Sequence, residues 1–290
     1  MREKAEAISH GAATIINAIA TGKGVAIGVD LWTKAAITIT DDPGTVNVKI
    51  LSDSSENPVL AQKTVMSVLK RFGLEKKFGA EVETQSNIPV ARGMKSSSAA
   101  ANAIALATTA ALERNLDDVD VVKLGVDGAV EANVTITGAF DDACASYFGG
   151  VVITDNLERR IVKRFELLEA PAVLFYVPPK KTYTAETDVK RMKELSPVVK
   201  IAYNEALNGS YWAALTMNGF LYSLALGYNL SPAIDAINAG AYASGLSGTG
   251  PAVTAIIPED KIDDLKDVWG SLGGEILEAH INQEKAKVVG

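Results

Sequence analysis

Residues 93–98 combine the groups that proteins use to bind phosphate. The segment GMKSSS places a glycine, a lysine and three serines directly before an alanine-rich run, AAANAIALATTAAL. The first turn of a helix has unpaired backbone N–H groups and a partial positive charge. A glycine lets the backbone approach an anion, serine hydroxyls donate to phosphate oxygens or ligate Mg²⁺, and Lys95 adds a full charge. The segment therefore predicts a phosphate cradle, with a merely serine-capped helix as the alternative.

The common phosphate loop, G-x-x-x-x-G-K-[ST], does not occur in the chain. Its nearest match is TGKG at residues 21–24, but Gly24 follows the lysine and Asn17 stands where the first glycine belongs. There is also no G-x-G-x-x-G between a predicted strand and helix, so a dinucleotide-binding fold has no support.

Three acidic residues follow the predicted phosphate cradle in the sequence. Asp141 and Asp142 follow Gly138 at the start of a predicted helix, and Glu131 lies ten residues before Asp141. Phosphoryl transfer needs positioning, charge neutralisation and an oriented hydroxyl more than covalent chemistry. A carboxylate there could orient or accept the hydroxyl proton. Each residue also has a plain structural explanation, capping for the aspartates and an exposed helix position for the glutamate.

The composition limits the classes of protein to which the chain can belong. It has 290 residues, a formal net charge of −7 and one cysteine, Cys144. The acidic balance argues against nucleic-acid and anionic-membrane partners. A single cysteine allows no intrachain disulfide, and neither a signal peptide nor a membrane span is recognisable. We therefore expect a soluble, cytoplasmic protein. The acidic balance remains compatible with an anionic small substrate, because a local basic pocket can form in an acidic protein, and the sequence predicts no oligomeric state.

Alternating strand and helix patterns must position these residues. Strands are predicted at 24–40 (two strands joined by a turn), 44–51, 79–90, 149–155, 171–178, 245–258 and in the C-terminal tail. Helices are predicted near 57–72, 96–114, 119–134, 140–148, 184–207, 210–227, 232–240 and 259–273. This order predicts an α+β fold in two lobes, 1–160 with the phosphate loop and Asp141, and 161–290 closing the substrate site.

Three segments resemble the GHMP kinases, named after galacto-, homoserine, mevalonate and phosphomevalonate kinases. PVARGMKSSSAA (89–100) is similar to their second motif, P-x-x-x-G-L-G-S-S-A-A, with Lys95 in place of the second glycine. TGAFDDACASYFGG (137–150) resembles their S-G-x-D-N…G-G segment. GLSGTGPAV (245–253) resembles their third, glycine-rich motif.

The resemblance implies a fold, cofactors and residue roles. The fold would combine a ribosomal-protein-S5-like N-terminal lobe with a ferredoxin-like C-terminal lobe, binding ATP and Mg²⁺. Asp141 matches the catalytic aspartate. Glu131 and Ser97 would bind magnesium, with Ser96 as the alternative hydroxyl ligand. The implied ATP-binding residues are Pro89, Val90, Ala91, Arg92, Gly93, Met94, Lys95, Ser96, Ser97 and Ser98, and residues 51–58 are suggested for the adenine.

Within this superfamily the chain resembles the archaeal-type shikimate kinases. The similar segments are IINAIATGKGVAIGVDL (15–31), GMKSSSAAANA (93–103) and PPKKTYTAETDV (178–189). The resemblance implies ATP-dependent phosphorylation of the 3-hydroxyl of shikimate to shikimate 3-phosphate, on the route to chorismate and the aromatic amino acids.

Shikimate carries a carboxylate and three hydroxyls, so a basic residue and short polar ones should hold it. Lys23 is the first choice for the carboxylate, with Lys181 as a further candidate and Thr184 as a hydroxyl contact. Other basic candidates are Arg92, Lys180 and Arg191. A surface lysine exposed to solvent is the plain alternative for Lys23.

Two other functions stay open at this point. One is a homoserine or mevalonate-type kinase, since LSGTGPAV also fits homoserine kinases. The other is a non-catalytic sensor that binds a nucleotide on a kinase-like fold. Magnesium-dependent ADP formation would separate a sensor from an enzyme.

Overall fold

The structure is a computed structural model that describes residues 3–53, 55–90, 93–135, 138–168, 171–179 and 189–290. The strands, in chain order, are β1 (Lys4–Ile16), β2 (Lys23–Thr40), β3 (Val46–Ile50), β4 (Gly79–Ser86), β5 (Val151–Asp155), β6 (Arg160–Phe165), β7 (Ala172–Val177), β8 (Ala243–Leu246), β9 (Val253–Ile257), β10 (Glu275–His280) and β11 (Lys287–Val288). The helices are α1 (Val59–Arg71), α2 (Ser96–Ala111), α3 (Asp118–Glu131), α4 (Phe140–Phe148), α5 (Val189–Glu194), α6 (Ser196–Leu207), α7 (Tyr211–Leu226), α8 (Ser231–Asn238) and α9 (Ile262–Gly270).

The first sheet is built around the long antiparallel pair β1 and β2. Its strand order is β11–β1–β2–β4–β3, and β5 pairs with the start of β2 while β6 pairs with β5. The register of β1 against β2 shifts between His10 and Gly11. Beyond this irregularity β2 changes neighbours, from β5 at its first residues to β4 from Thr33 onward. The sheet therefore branches at this point, with β5 and β6 on one arm and β4 and β3 on the other.

Helices α1 to α4 pack together against the first sheet, and α2 lies at their centre. Ala99, Ala103 and Ala107, which are four residues apart on one face of α2, are fully buried. Small side chains let the backbones of neighbouring helices approach closely, because no bulky group separates them. The alanine-rich run thus fixes the helix whose first turn carries the three serines.

The second sheet is antiparallel, with strand order β10–β7–β9–β8. Helix α7 contacts both β8 of this sheet and β1 of the first one. One hydrophobic core includes Ile15 and Ile27 of the first sheet together with Val173 and Phe175 of the second. Because the two sheets share this core, α7 and the second sheet pack directly against the first sheet.

The predicted α+β fold is confirmed, and several details of the element prediction are wrong. Residues 24–40 form one continuous strand instead of two, because the chain between Asp30 and Trp32 bulges without reversing. The strand β1 was not predicted, since its run of small and apolar residues lacks a clear alternation. The predicted helix 184–207 is two helices, α5 and α6, with its first residues outside the described part.

The two-lobe division at residue 160 stays a prediction. The strand β6, from its second residue on, and the whole of the short tail strand β11 lie in the predicted second segment, 161–290. Both nevertheless pair within the first sheet. Within the described residues, no helix combines the length and the apolar character needed to cross a bilayer.

Candidate active site

A cavity of about 460 Å³ lies where the start of α2, the start of α4 and residues 248–250 meet. Three groups of side chains and backbone share its wall. Gly93 and Lys95 to Ser98 come from the phosphate loop, Asp141 and Asp142 from the first turn of α4, and Gly248 to Gly250 from the third glycine-rich segment. The three motifs singled out in the sequence therefore converge on one cavity.

The phosphate loop is braced by Ser247, in the glycine-rich segment that follows β8. Gly93 has φ +89°, and a Cβ there would lie 2.6 Å from the carbonyl oxygen of Ser247. Only glycine tolerates both this backbone conformation and this close approach. The Ser247 hydroxyl in turn donates to the carbonyl oxygen of Gly93 at 2.8 Å. The third motif thus fixes the entry to α2.

Lys95 precedes α2 in a left-handed conformation, with φ +64° and ψ +31°. This conformation is unfavourable for a residue with a Cβ by about 1–2 kcal/mol. Its ammonium lies 3.1 Å from Asp142, with only 10 % of the Lys95 side chain exposed. The GHMP kinase motif has glycine at this position, whereas this chain has Lys95 in a strained conformation. The Lys95 ammonium lies in the cavity wall beside Asp142.

The first turn of α2 faces the cavity without a protein partner in the part of the chain that the structure describes. No side chain caps this helix end, and Ser96, Ser97 and Ser98 all line the cavity. Backbone N–H groups, three hydroxyls and one ammonium are suited to a polyphosphate.

The other predicted ATP-binding residues have different surroundings. Val90 lines the cavity, Pro89 is half-buried outside its lining, and Met94 is fully buried in the shared core. Ala91 and Arg92 lie outside the described residues. The far end of the cavity includes residues within the suggested adenine segment, namely Ser52, Glu56 and Asn57.

Asp141 is buried at the inner end of the cavity. It is 3 % exposed and accepts a 2.8 Å hydrogen bond from the Asn156 amide. A Cβ on Gly24 would lie 2.1 Å from its other oxygen, so the glycine makes room for the carboxylate. Burial, followed by the neighbouring Asp142 carboxylate, raises the pKa of Asp141 to about 7, while the Asn156 amide and the Lys95 ammonium oppose this rise. A carboxyl with such a pKa can exchange a proton near neutral pH.

The raised pKa predicts how activity depends on pH. If the ionised carboxylate accepts the substrate proton, kcat should fall as the pH falls through about 7. The loss should approach tenfold per pH unit well below that value, because the fraction of ionised Asp141 falls in this proportion. Steady-state rates between pH 5.5 and 8.5, at saturating substrates, measure this. A rate that stays flat from pH 5.5 to 8 would contradict the role.

Asp142 is an ion-pair partner for Lys95 and does not cap α4. Its carboxylate also lies 3.5 Å from the Thr14 hydroxyl, at the limit of a hydrogen bond. The capping explanation for the two aspartates is therefore replaced by a buried charge cluster of Asp141, Asp142 and Lys95.

The predicted substrate residue Lys23 is not part of the cavity wall. Its side chain is exposed and its ammonium lies 5.7 Å from the centre of the Tyr203 ring. Neighbouring residues in a strand point to opposite faces. Since Gly24 faces Asp141, the Lys23 side chain lies on the opposite face of β2, away from Asp141. Lys181 and Thr184 lie outside the described residues.

The structure separates the two predicted magnesium ligands. Ser97 lines the cavity, whereas Glu131 ends α3 on the outside, 3.4 Å from Lys70 and 3.9 Å from Lys63 of α1. Glu131 thus occupies the ordinary exposed helix position that was its alternative explanation. No cluster of three or more metal-binding side chains occurs among the residues described.

Sequence patterns missed several residues that contact Asp141 or the cavity residue Asn17. Asn156 follows a strand as an ordinary turn residue, and Asn218 and Tyr222 look like interior positions of an apolar helix. In the structure the Asn218 side chain accepts from the backbone N–H of Asn17, and the Tyr222 hydroxyl donates to the Asn17 carbonyl oxygen. For Asn218 and Tyr222 the sequence signal was a polar side chain within an apolar helix pattern. Such a pattern does not show which residue the side chain contacts.

Two family models match the chain. The model for the GHMP kinases N terminal domain matches residues 60–150, and the model for GHMP kinases C terminal matches residues 212–274. The first match contains the phosphate loop and the aspartates, and the second contains the segment that braces them.

Two archaeal proteins illustrate the close relatives. The chain is 44 % identical over 288 residues to the shikimate kinase of Methanosarcina mazei, covering 99 % of this chain and 97 % of that protein. It is 46 % identical over 268 residues to the shikimate kinase of Pyrococcus furiosus, covering 92 % and 95 % of the two chains.

Solved structures of more distant kinases share the fold. The mevalonate kinase of Methanococcus jannaschii matches with a TM-score of 0.77 at 17 % identity, covering 96 % of this chain and 98 % of that one. The homoserine kinase of Cytophaga hutchinsonii matches with a TM-score of 0.72 at 16 % identity, covering 100 % and 98 %.

Proposed function

The chain belongs to the archaeal shikimate kinases within the GHMP kinases, and from this premise we propose that it transfers the γ-phosphoryl group of ATP to the 3-hydroxyl of shikimate. The observation that carries the proposal is the placement of a buried aspartate in the same cavity as an uncapped, serine-rich helix start. The aspartate can accept a proton beside the helix start, which can bind the phosphates of a nucleotide.

The phosphates bind at the start of α2. Backbone N–H groups of the first turn and the hydroxyls of Ser96 to Ser98 donate to phosphate oxygens, and Lys95 offsets their charge. Gly248 and Gly250 form the facing wall. This arrangement supports a nucleotide whose terminal phosphate lies nearest to Lys95 and the aspartates.

Asp141 orients the acceptor hydroxyl and accepts its proton. One oxygen is fixed by Asn156 and the cavity reaches the residue from the phosphate side. Because the group is buried, water does not compete for the carboxylate, and the raised pKa makes it a stronger base than an exposed aspartate.

Magnesium is the metal that ATP-dependent transfer normally uses, and the cavity suits it. Mg²⁺ is bound through few protein ligands together with substrate phosphates and water. Ser97 fits this role, since its hydroxyl lines the cavity. Glu131 would have to leave Lys63 and Lys70 to join it, so we propose Ser97 as the protein ligand with Ser96 as the alternative. When bound, the ion neutralises phosphate charge.

The acceptor carboxylate needs a cation near the aspartates. Among the described residues that line the cavity, Lys95 is the basic one, and it is paired with Asp142. We therefore keep Lys181 and Thr184 as the proposed shikimate contacts. Lys23 could join them only by leaving the Tyr203 ring.

The remaining candidates have weaker support. Homoserine and mevalonate kinases share the fold at 16–17 % identity, which supports the fold alone. A non-catalytic sensor would not need a buried aspartate with a raised pKa at the phosphate site.

ADP release by the purified protein with Mg-ATP tests the proposal against both rivals. The acceptors are shikimate, homoserine, mevalonate and galactose, each measured with and without excess EDTA. We expect magnesium-dependent turnover with shikimate alone. Turnover with a different acceptor would overturn the substrate, and ATP binding without turnover on any acceptor would favour the sensor.

A further inference from the structure

Asn156 joins the catalytic aspartate to the edge of the first sheet. It follows β5, is 4 % exposed, and its backbone N–H donates to the carbonyl oxygen of Gly22 at 2.8 Å. Its side-chain amide donates to Asp141 at 2.8 Å. The amide is therefore anchored by the backbone at one end and by the carboxylate at the other.

Thr154 fixes which way the amide faces. Its hydroxyl donates to the amide oxygen of Asn156 at 2.7 Å, and the Thr154 side chain is fully buried at the end of β5. An amide oxygen that already accepts from a hydroxyl cannot turn toward a carboxylate without losing that bond. The amide NH₂ group must then face Asp141, so the aspartate always meets a donor.

We propose that Thr154 and Asn156 are positioning residues that hold Asp141 as an ionised, fixed base for the phosphoryl transfer. This inference rests on the proposed function, since it assigns the residues a role in that reaction. Asn156 acts through its hydrogen bond to the carboxylate, and Thr154 acts one step further away by orienting Asn156.

The chemical consequence follows from the charge on Asp141. A hydrogen-bond donor favours the ionised form of a carboxyl, whereas burial favours the neutral form. The Asp142 carboxylate disfavours the ionised form of Asp141, and the Lys95 ammonium favours it. The Cys144 thiol and the Tyr222 hydroxyl also lie near Asp141, as uncharged groups. Without the Asn156 donor, the Lys95 ammonium and the backbone N–H of Asp142 would be left to counter the burial and the Asp142 carboxylate.

The test compares Thr154→Val with Thr154→Ser. Valine keeps the shape and removes the hydroxyl, whereas serine keeps the hydroxyl and serves as the matched control. We expect Thr154→Val to lower kcat about tenfold with KM for ATP unchanged, and to move the acidic limb of the pH–rate profile upward by about half a pH unit or more. Thr154→Ser should stay within about twofold of wild type with the limb in place.

A double variant separates positioning from a general loss of structure. In an Asp141→Asn background, Thr154→Val should cause less than a twofold further loss, because the residue through which it acts is already altered. If Thr154→Val lowered kcat equally in both backgrounds, or left the pH limb at its wild-type position, the proposal would be overturned.

Thermal unfolding supplies a readout that needs no activity. Because Asp141 has a raised pKa in the folded chain, its contribution to stability is lost as the pH rises from about 3.8 through about 7. Without the Thr154 hydroxyl the Asn156 amide is no longer held as a donor to Asp141, which raises that pKa further, so Thr154→Val should lower the Tm more at pH 8 than at pH 5. An equal decrease at both pH values would mean a packing role only. If the wild-type protein were inactive on shikimate but Thr154→Val still lowered the Tm more at pH 8 than at pH 5, the proposed function would be refuted. The effect of Thr154 on the pKa of Asp141 would still be supported.

Discussion

Replacing Asp141 with asparagine is expected to lower kcat by about 10²–10⁴-fold, the usual contribution of a positioned base. Asparagine has nearly the same shape and its amide oxygen can still accept from Asn156, so the site keeps its geometry. ATP affinity should change by less than about threefold, because the phosphate-binding groups belong to α2. Steady-state kinetics with shikimate, and ATP titration of the free protein, measure the two quantities.

The stability of the same variant serves as its control. Above pH 7 the wild type buries an ionised carboxylate beside Asp142, and asparagine removes this unfavourable charge. Asp141→Asn should therefore have a higher Tm than wild type at pH 8, with a smaller difference at pH 5. A well-folded variant that keeps its turnover within threefold of wild type would rule out proton transfer to Asp141.

Replacing Lys95 with glycine is expected to lower kcat/KM by about 10²–10³-fold, comparable with the removal of one strong donor to a developing charge. Glycine is the residue best suited to the φ of +64° at this position, so any loss of activity cannot come from backbone strain. The loss should come from the missing ammonium at the phosphates and beside the aspartates. Kinetics with ATP varied at saturating shikimate would measure it.

The same replacement leaves Asp142 buried without its partner. Breaking a buried pair on one side costs about 3–5 kcal/mol, which exceeds the gain of about 1–2 kcal/mol from the relaxed backbone. The Tm of Lys95→Gly should therefore fall, and a second change, Asp142→Asn, should restore much of it without restoring activity. A Lys95→Gly enzyme with near-wild-type kcat/KM would mean that the lysine serves the fold alone.

The sequence predicted the phosphate loop and the aspartates because their function depends on local chemistry. Consecutive serines before an alanine-rich helix constrain the backbone within one turn, and α2 begins at Ser96 as the pattern requires. Helix α4, from Phe140 to Phe148, was placed correctly for the same reason. These features need no knowledge of distant parts of the chain.

Contacts between distant segments could not be predicted in the same way. Gly24 was noticed as a failed phosphate-loop match, yet its position is explained by Asp141, which is far away in sequence. Asn156 and Ser247 likewise acquire their roles only when β5 and the second lobe meet the first turns of α4 and α2. Lys23 was assigned to the substrate because the N-terminal loop helps form the substrate pocket in the kinases that the chain resembles, but the alternation of the strand directs its side chain to Tyr203.

Glu131 shows what a family resemblance leaves open. The resemblance implies a magnesium ligand at this position, but the rotation of α3 decides which face the side chain occupies. In the structure that face lies against Lys63 and Lys70 of α1. A one-residue difference in helical phase is enough to move a carboxylate from the cavity to the surface.

The most direct test of the account is the identity of the phosphorylated product. Shikimate, Mg-ATP and the purified protein should be incubated and the product analysed by ³¹P and ¹H NMR. The account predicts one new phosphate ester, coupled to the proton on carbon 3 of shikimate, formed in equal amount with ADP. A phosphate on another hydroxyl, or ADP formed without any phosphorylated shikimate, would contradict it.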